Sequence, residues 1–287
     1  MSILIEKLSY VHQAGSPFAR EALRHVSFVV QAGEILGIMG KTGCGKTTLL
    51  QLMAGLLPGR PGSVFVDGED IYAPSYDKAK LRQRLGLLFQ YPEYQLFEST
   101  VAKDVAFGIK YMPLTREEKA ERVKEALRLC GFVPEKVLSL SPHSLSGGQK
   151  RRVAMAGVLA AQPRYLLLDE PFAGLDPLGR RELTALLNQL RQRGVGIVIV
   201  SHSMDCLAEC AQRLILLEQG ELRLDGSLEA AFSQPELLHS LGLERSTSRE
   251  IAHLLQAQGM LEEKGILCYA DLLSAIAQHM RRIKDVE

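Results

Sequence analysis

The chain has 287 residues, 46% of them hydrophobic and 23% charged, enough apolar surface to bury a core, so disorder is not the default reading. Lys and Arg total 34 against 33 Asp and Glu, which leaves no global basic field to hold nucleic acid or anionic lipid. The amino terminus MSILIEKLSY lacks an apolar signal core, and no later run approaches the ~20 apolar residues that span a bilayer, so a soluble cytosolic chain is expected.

In chain order, β-rich runs at 3–8, 63–66, 86–89, 164–168, 195–200 and 213–217 alternate with helical patterns, which predicts an α/β fold around a largely parallel sheet. The runs 166–168 and 197–200 are apolar without alternation, as strands covered by helices on both faces require. Between residues 100 and 160 strand signals stop, and TREEKAERVKEALRLCG places Val123, Ala126, Leu127 and Cys130 on one helical face. This stretch reads as an inserted helical subdomain, about 91–162. After residue 226 come amphipathic segments carrying Ile251, Leu254 and Leu255, then Leu272, Leu273, Ile276 and Met280, so 227–287 reads as a small separate module appended to a domain of residues 1–226.

Three motifs carry chemistry. Gly40-Lys41-Thr42-Gly43-Cys44-Gly45-Lys46-Thr47 follows the strand-like EILGIM and opens the helical KTTLLQLMAGLL, with Thr48 next. That is the context of a phosphate-binding loop: glycines let backbone N–H groups curl toward phosphate oxygens, Lys46 reaches the β and γ phosphates, and Thr47 binds Mg²⁺. Further on, an apolar strand ends in Asp169-Glu170, at the edge where open parallel sheets bind ligands. Asp169 suits Mg²⁺ and Glu170 suits general-base activation of water. Alone, the acid pair could equally be a helix start ahead of Pro171. The third motif, Leu145-Ser146-Gly147-Gly148-Gln149, leads into KRRVAMAGVLA. It is a second phosphate-facing helix start in a chain whose first loop already serves its own nucleotide, so it must serve a nucleotide held by another molecule. By itself it is no more than a helix cap.

Cys44, Cys130, Cys206, Cys210 and Cys268 contain no CxxC pair, which points to a reducing compartment. Cys44 sits at a helix start, where a lowered pKa and a reactive thiol protected by MgATP are expected. His202, Cys206 and Cys210 have spacing suited to zinc, but no fourth ligand is evident and no zinc site is expected.

Together and in this order, the three motifs make residues 1 to about 226 resemble the ATP-binding cassette ATPases. The resemblance implies a P-loop NTPase with a RecA-like core, an antiparallel β subdomain, an inserted helical signalling subdomain and a small C-terminal helical extension. It also implies further roles. Gln90 matches the Q-loop glutamine that touches Mg²⁺ and the attacking water, Asp176 in Ala173-Gly174-Leu175-Asp176 matches the D-loop, and His202 matches the switch histidine at the γ-phosphate. The adenine-stacking slot falls at His12, with Tyr10 and Phe18 as rival rings.

Gln90-Tyr91-Pro92-Glu93-Tyr94-Gln95-Leu96-Phe97 is similar to the Q-loop of energy-coupling factor transporter ATPases, which take up vitamins or transition-metal ions in prokaryotes. GSPFAREAL and SLSGGQKRRVAMAGVLA resemble the same group. The implied partners are a second cassette, identical or a sister chain, a membrane coupling protein docking near residues 90–97, and a substrate-binding membrane subunit. The implied location is the cytoplasmic face of the membrane. Of Tyr94 and Phe97, one is expected to pack under the helical subdomain. The tail either strengthens subunit pairing or folds back on its own cassette. A cassette ATPase of DNA repair or chromosome structure needs a long coiled coil, yet only about a hundred residues separate Thr47 from Leu145. A translation factor of this kind carries two cassettes, and here there is one set of motifs. The ATPase of a conventional ABC importer is the nearest competitor.

Overall fold

The computed structural model describes residues 1–243, 246–261, 266 and 268–284. Its strands are β1 (Ser2–His12), β2 (Arg20–Gln31), β3 (Ile35–Met39), β4 (Val64–Val66), β5 (Glu69–Asp70), β6 (Leu85–Leu88), β7 (Tyr165–Asp169), β8 (Gly196–Val200), β9 (Arg213–Glu218) and β10 (Glu221–Ser227). They form two sheets. A four-stranded antiparallel sheet has the order β2-β1-β4-β5, and a six-stranded sheet has the order β10-β9-β3-β8-β7-β6, parallel throughout except for the β9–β10 hairpin.

The larger sheet separates two cores, and strand alternation assigns residues to each. Leu166, Leu168, Ile197 and Ile199 face one core with the helical insert, while Leu167, Val198 and Val200 face the other, shared with Ile3, Ile5 and Leu8 of β1. Every residue of β7 and β8 is buried, as their unbroken apolar runs require.

The helices are α1 (Lys46–Met53), α2 (Lys78–Arg84), α3 (Val101–Phe107), α4 (Arg116–Leu129), α5 (Pro134–Val137), α6 (Gly147–Leu159), α7 (Pro177–Gln192), α8 (Met204–Ala208), α9 (Leu228–Phe232), α10 (Pro235–Ser240), α11 (Thr247–Ala257) and α12 (Tyr269–Lys284). Local chemistry sets their starts. Thr115 and Glu118 form a reciprocal capping box at α4, whose Val123, Ala126 and Leu127 are buried, and such a cap is worth about 1 kcal/mol. Among the described residues, no helix is long and apolar enough to cross a membrane.

The tail corrects one expectation. Leu228, Ala231 and Phe232 of α9 and Leu238 and Leu241 around α10 belong to the main core, together with Leu214 and Leu216 of β9 and Leu224 of β10. Only the segment from α11 onward has its own small cluster, centred on Ala252, Ile266 and Leu272. It folds back on the cassette: Thr247 donates its N–H and its hydroxyl to the Asp205 carboxylate of α8, each at 2.8 Å, and the Tyr269 N–H reaches Glu209 Oε1 at 3.2 Å.

Candidate functional site

Strand register brings the motifs to one edge. Ile38 pairs with Val200, Asp169 with Val200, and Leu88 with Leu168, so the chain leaves β3, β6, β7 and β8 on the same side, beyond the carboxyl ends of parallel strands. The phosphate loop, Gln90, the Asp169-Glu170 pair and His202 all lie there.

Backbone shape, more than side chains, builds the loop between β3 and α1. Gly40 has φ 155 and Gly45 has φ 108. A Cβ at Gly40 would stand 2.2 Å from the Leu217 carbonyl oxygen, and one at Gly45 would stand 2.4 Å from that of Ala22, so both places exclude any side chain. No side chain caps α1, which leaves its first N–H groups directed at the loop's concavity. Lys46 Nζ donates to the carbonyl oxygens of Gly40 at 2.6 Å and Lys41 at 3.0 Å.

Thr47 Oγ1 donates to Asp169 Oδ2 at 3.1 Å. Asp169 is 7% exposed. Burial pushes its carboxyl above the usual carboxylate range, the Thr47 hydrogen bond pulls it back, the neighbouring Glu170 charge raises it, and Lys46 lowers it. A hydroxyl and a buried carboxylate side by side, both hard oxygen donors, suit Mg²⁺.

Glu170 has φ 48, a left-handed conformation that costs a non-glycine residue about 1–2 kcal/mol. Its N–H donates to the Val200 carbonyl at 2.9 Å, and its own carbonyl accepts from the Ala173 N–H at 3.2 Å. Its carboxylate is held at both ends: Ser201 Oγ donates to Oε2 at 3.2 Å, and His202 Nδ1 lies 2.8 Å from Oε1. Glu170 and His202 are therefore in direct contact, and Ser201, which no motif singled out, completes the cradle.

His12 Nε2 lies 3.0 Å from Thr48 Oγ1, beside the first turn of α1, and Tyr10 packs edge-on to the His12 ring at 5.0 Å. Phe18 is exposed at the far end of the β1–β2 connection. The Cys44 thiol is buried in the core shared with β1 and α1, with Lys46 Nζ 3.8 Å from its sulfur. Cys206 and Cys210 are also core residues, with burial raising both thiols.

The signature segment is built separately. Ser146 caps α6 in a reciprocal capping box with Gln149, and a Cβ on Gly147 or Gly148 would meet nothing within 4 Å. Ser146, Gly148 and Gln149 share a groove of about 720 Å³ with Asp176 and the start of α7. Asp176 itself caps α7, accepting from the Gly179 N–H at 2.7 Å. The structure thus collects Lys46, Thr47, Asp169, Glu170 and His202 in one place and Ser146, Gly148, Gln149 and Asp176 in another. Gln90 stands exposed beyond β6. Just after it, Arg151 of α6 forks both carboxylate oxygens of Glu93, at 3.2 and 3.1 Å, and also donates to the Ala173 carbonyl. Sequence reasoning missed this pair, since 58 residues separate the partners and no local pattern marks them.

Residues 23–173 match the profile of the ABC transporter family, so the chain belongs to that family, as one of its ATP-hydrolysing cassettes. The "Energy-coupling factor transporter ATP-binding protein EcfA2" of Symbiobacterium thermophilum is 44% identical over 96% of each chain, and that of Caldanaerobacter subterraneus is 39% identical over the full length of both. Within the family the chain belongs with the ATP-binding proteins of energy-coupling factor transporters. Among solved structures, cbiO1 from Clostridium perfringens, described as part of the ABC transporter complex cbiONQ, superposes with a TM-score of 0.73 at 34% identity, covering 88% of this chain and 98% of that one. The dimeric cassette MJ0796 bound to ADP and Pi gives 0.68 at 28% identity over 78% of this chain and 98% of its own. The α/β fold and the family expected from the motifs both hold.

Proposed function

We propose that the chain is the peripheral motor of an energy-coupling factor transporter, taking up a vitamin or a transition-metal ion through membrane partners at the cytoplasmic face. In this reading two cassettes meet head to tail, and each nucleotide lies between one chain's phosphate loop and the other's Ser146 to Gln149 segment. The observation that carries it is the separation of the two half-sites: the signature glycines lie open, away from the chain's own phosphate loop, as a segment that serves a second molecule must.

Each residue then has a task. The loop N–H groups and Lys46 hold the phosphates, while Thr47, Asp169 and Gln90 would hold Mg²⁺, which supplies charge neutralisation at the transferred phosphoryl group. Glu170 accepts the proton of the attacking water. His202 exchanges its contact with Glu170 for the γ-phosphate as the pair closes, and His12 stacks on adenine with Tyr10 behind it. Asp176 reaches the facing chain.

An exposed aromatic patch beside Gln90 is the surface for the membrane coupling protein. Tyr91, Tyr94, Phe97, Phe107 and Tyr111 are all exposed, with Tyr91 6.3 Å from Tyr94 and Phe97 edge-on to Phe107 at 4.9 Å; exposed aromatic clusters of this kind mark an interaction site. Co-purification from membranes tests the proposal. The tagged chain is expected to bring down integral-membrane subunits and a second cassette, and Tyr94→Ala with Tyr111→Ala to release the membrane subunits while keeping the cassette pair. Recovery of the chain alone from detergent-solubilised membranes, under conditions that preserve such complexes, would sink it.

A further inference from the structure

Arg151 touches no motif residue of the phosphate loop, yet it joins three segments that the mechanism moves. It stands at the start of the second turn of α6, two residues past Gln149. Its fork holds Glu93, in the 3-10 turn Pro92–Gln95 that begins two residues after Gln90. Its remaining nitrogen donates to the Ala173 carbonyl, in the segment between Glu170 and Asp176. Side-chain exposure is 13% for Arg151 and 18% for Glu93, so water screens this pair weakly and the planar guanidinium fixes its geometry.

The path continues to the reacting centre. The Ala173 N–H donates to the Glu170 carbonyl, and the Glu170 N–H is tied to Val200. Glu170, like Tyr91 beside the Glu93 turn, is one of the non-glycine residues kept in the left-handed region, a conformation that persists where surrounding bonds over-determine it. At the other end, Tyr94, next to Glu93, is 84% exposed. One half-buried guanidinium therefore spans the distance from an open surface turn to the backbone of Glu170.

We infer that Arg151 is a positioning residue for hydrolysis: by clamping Glu93 and the Ala173 carbonyl together, it makes the turn after Gln90, the signature helix and the Glu170 segment move as one piece. The inference rests on Glu170 acting as the base. The two ideas fail separately, since full turnover by Glu170→Gln sinks the base assignment and full turnover by Arg151→Ala sinks only the clamp.

The test uses the full-length chain in its purified cassette pair, with steady-state kinetics, ATP binding and melting temperature measured for Arg151→Ala, Arg151→Lys, Glu93→Gln and the Arg151→Ala/Glu93→Gln double variant. Arg151→Ala is expected to lower kcat roughly tenfold, the scale of a misplaced catalytic group, with ATP affinity within about twofold of the parent. Arg151→Lys should recover little of it, because an ammonium keeps the charge but cannot hold two carboxylate oxygens and a carbonyl at once. The double variant should be no slower than Arg151→Ala alone, which is the coupling a shared clamp demands. A merely structural ion pair would lower the melting temperature and leave kcat of the folded protein untouched, and that result overturns the inference, as does strict additivity in the cycle. Should Arg151→Ala fail to fold, Arg151→Lys and Glu93→Gln carry the same kcat test, and parent-like kcat in both overturns it.

Discussion

Around the phosphate loop the polar side chains satisfy one another: Lys46 bonds to the loop's own carbonyls, Thr47 to Asp169, and Glu170 to Ser201 and His202. At the start of α6 the opposite holds, since Ser146 and Gln149 satisfy only their own turn and the two glycines beside them face open space. One region is tied together by its own side chains, and the other turns its glycines outward. A composite site needs this asymmetry, because the half that binds first must be pre-formed, while the half that arrives must be unencumbered.

Three substitutions probe the contrast, from the largest expected effect to the smallest. Glu170→Gln removes the base from the pre-formed half while its amide can still meet Ser201 and His202. Turnover should fall by at least about 100-fold, the usual scale of a lost general base, with ATP binding intact and the closed pair accumulating on size-exclusion chromatography. Unchanged turnover would remove Glu170 from its role. Gly148→Ala acts on the open half. It meets no atom within its own chain, so melting temperature and single-chain ATP affinity should hold steady while turnover drops by about tenfold or more, as expected when a transition-state donor is displaced. A large fall in the single chain's own ATP affinity would show that the segment serves the nucleotide of its own loop.

The smallest effect concerns stability. Burial raises the Asp169 carboxyl, so the fold disfavours its ionised form. For an acid whose folded pKa lies above its unfolded value, the unfolded state releases the proton first, and stability declines as pH rises between the two values. At neutral pH Asp169 therefore weakens the nucleotide-free cassette. Asp169→Asn should raise its melting temperature by about a few degrees and flatten the acid-side pH dependence. A lower melting temperature would mean that the Thr47 hydrogen bond outweighs desolvation.

The motif loops and the central strands were legible because their signals are local: an unbroken apolar run in β7 and β8, a glycine-rich turn between strand and helix. β2 was missed for a definite reason. Its buried residues Leu23, Val26, Phe28 and Val30 lose their alternation at His25, where a positive φ of 48 and a register shift against β1 insert an extra residue. β10 buries only Leu224, so an edge strand of polar residues gave no periodic pattern to find. The division at residue 226 followed the amphipathic segments after it, but Leu228 and Phe232 pack with Leu214, Leu216 and Leu224 of β9 and β10, a contact that only the folded chain reveals. The Ser201 contact to Glu170 and the Arg151 clamp are pairings between distant segments, which spacing along the chain does not encode.

The bonds from Lys46 to Gly40 and Lys41 change how a familiar experiment should be interpreted. This ammonium donates to inward-turned carbonyls of a loop that carries no acid of its own, so it is a strut as well as a hook. An alanine there would slacken the empty loop before any triphosphate arrives. Weak binding by such a variant would then combine a missing contact with a collapsed cradle, and only the nucleotide-free shape of the variant can apportion the two.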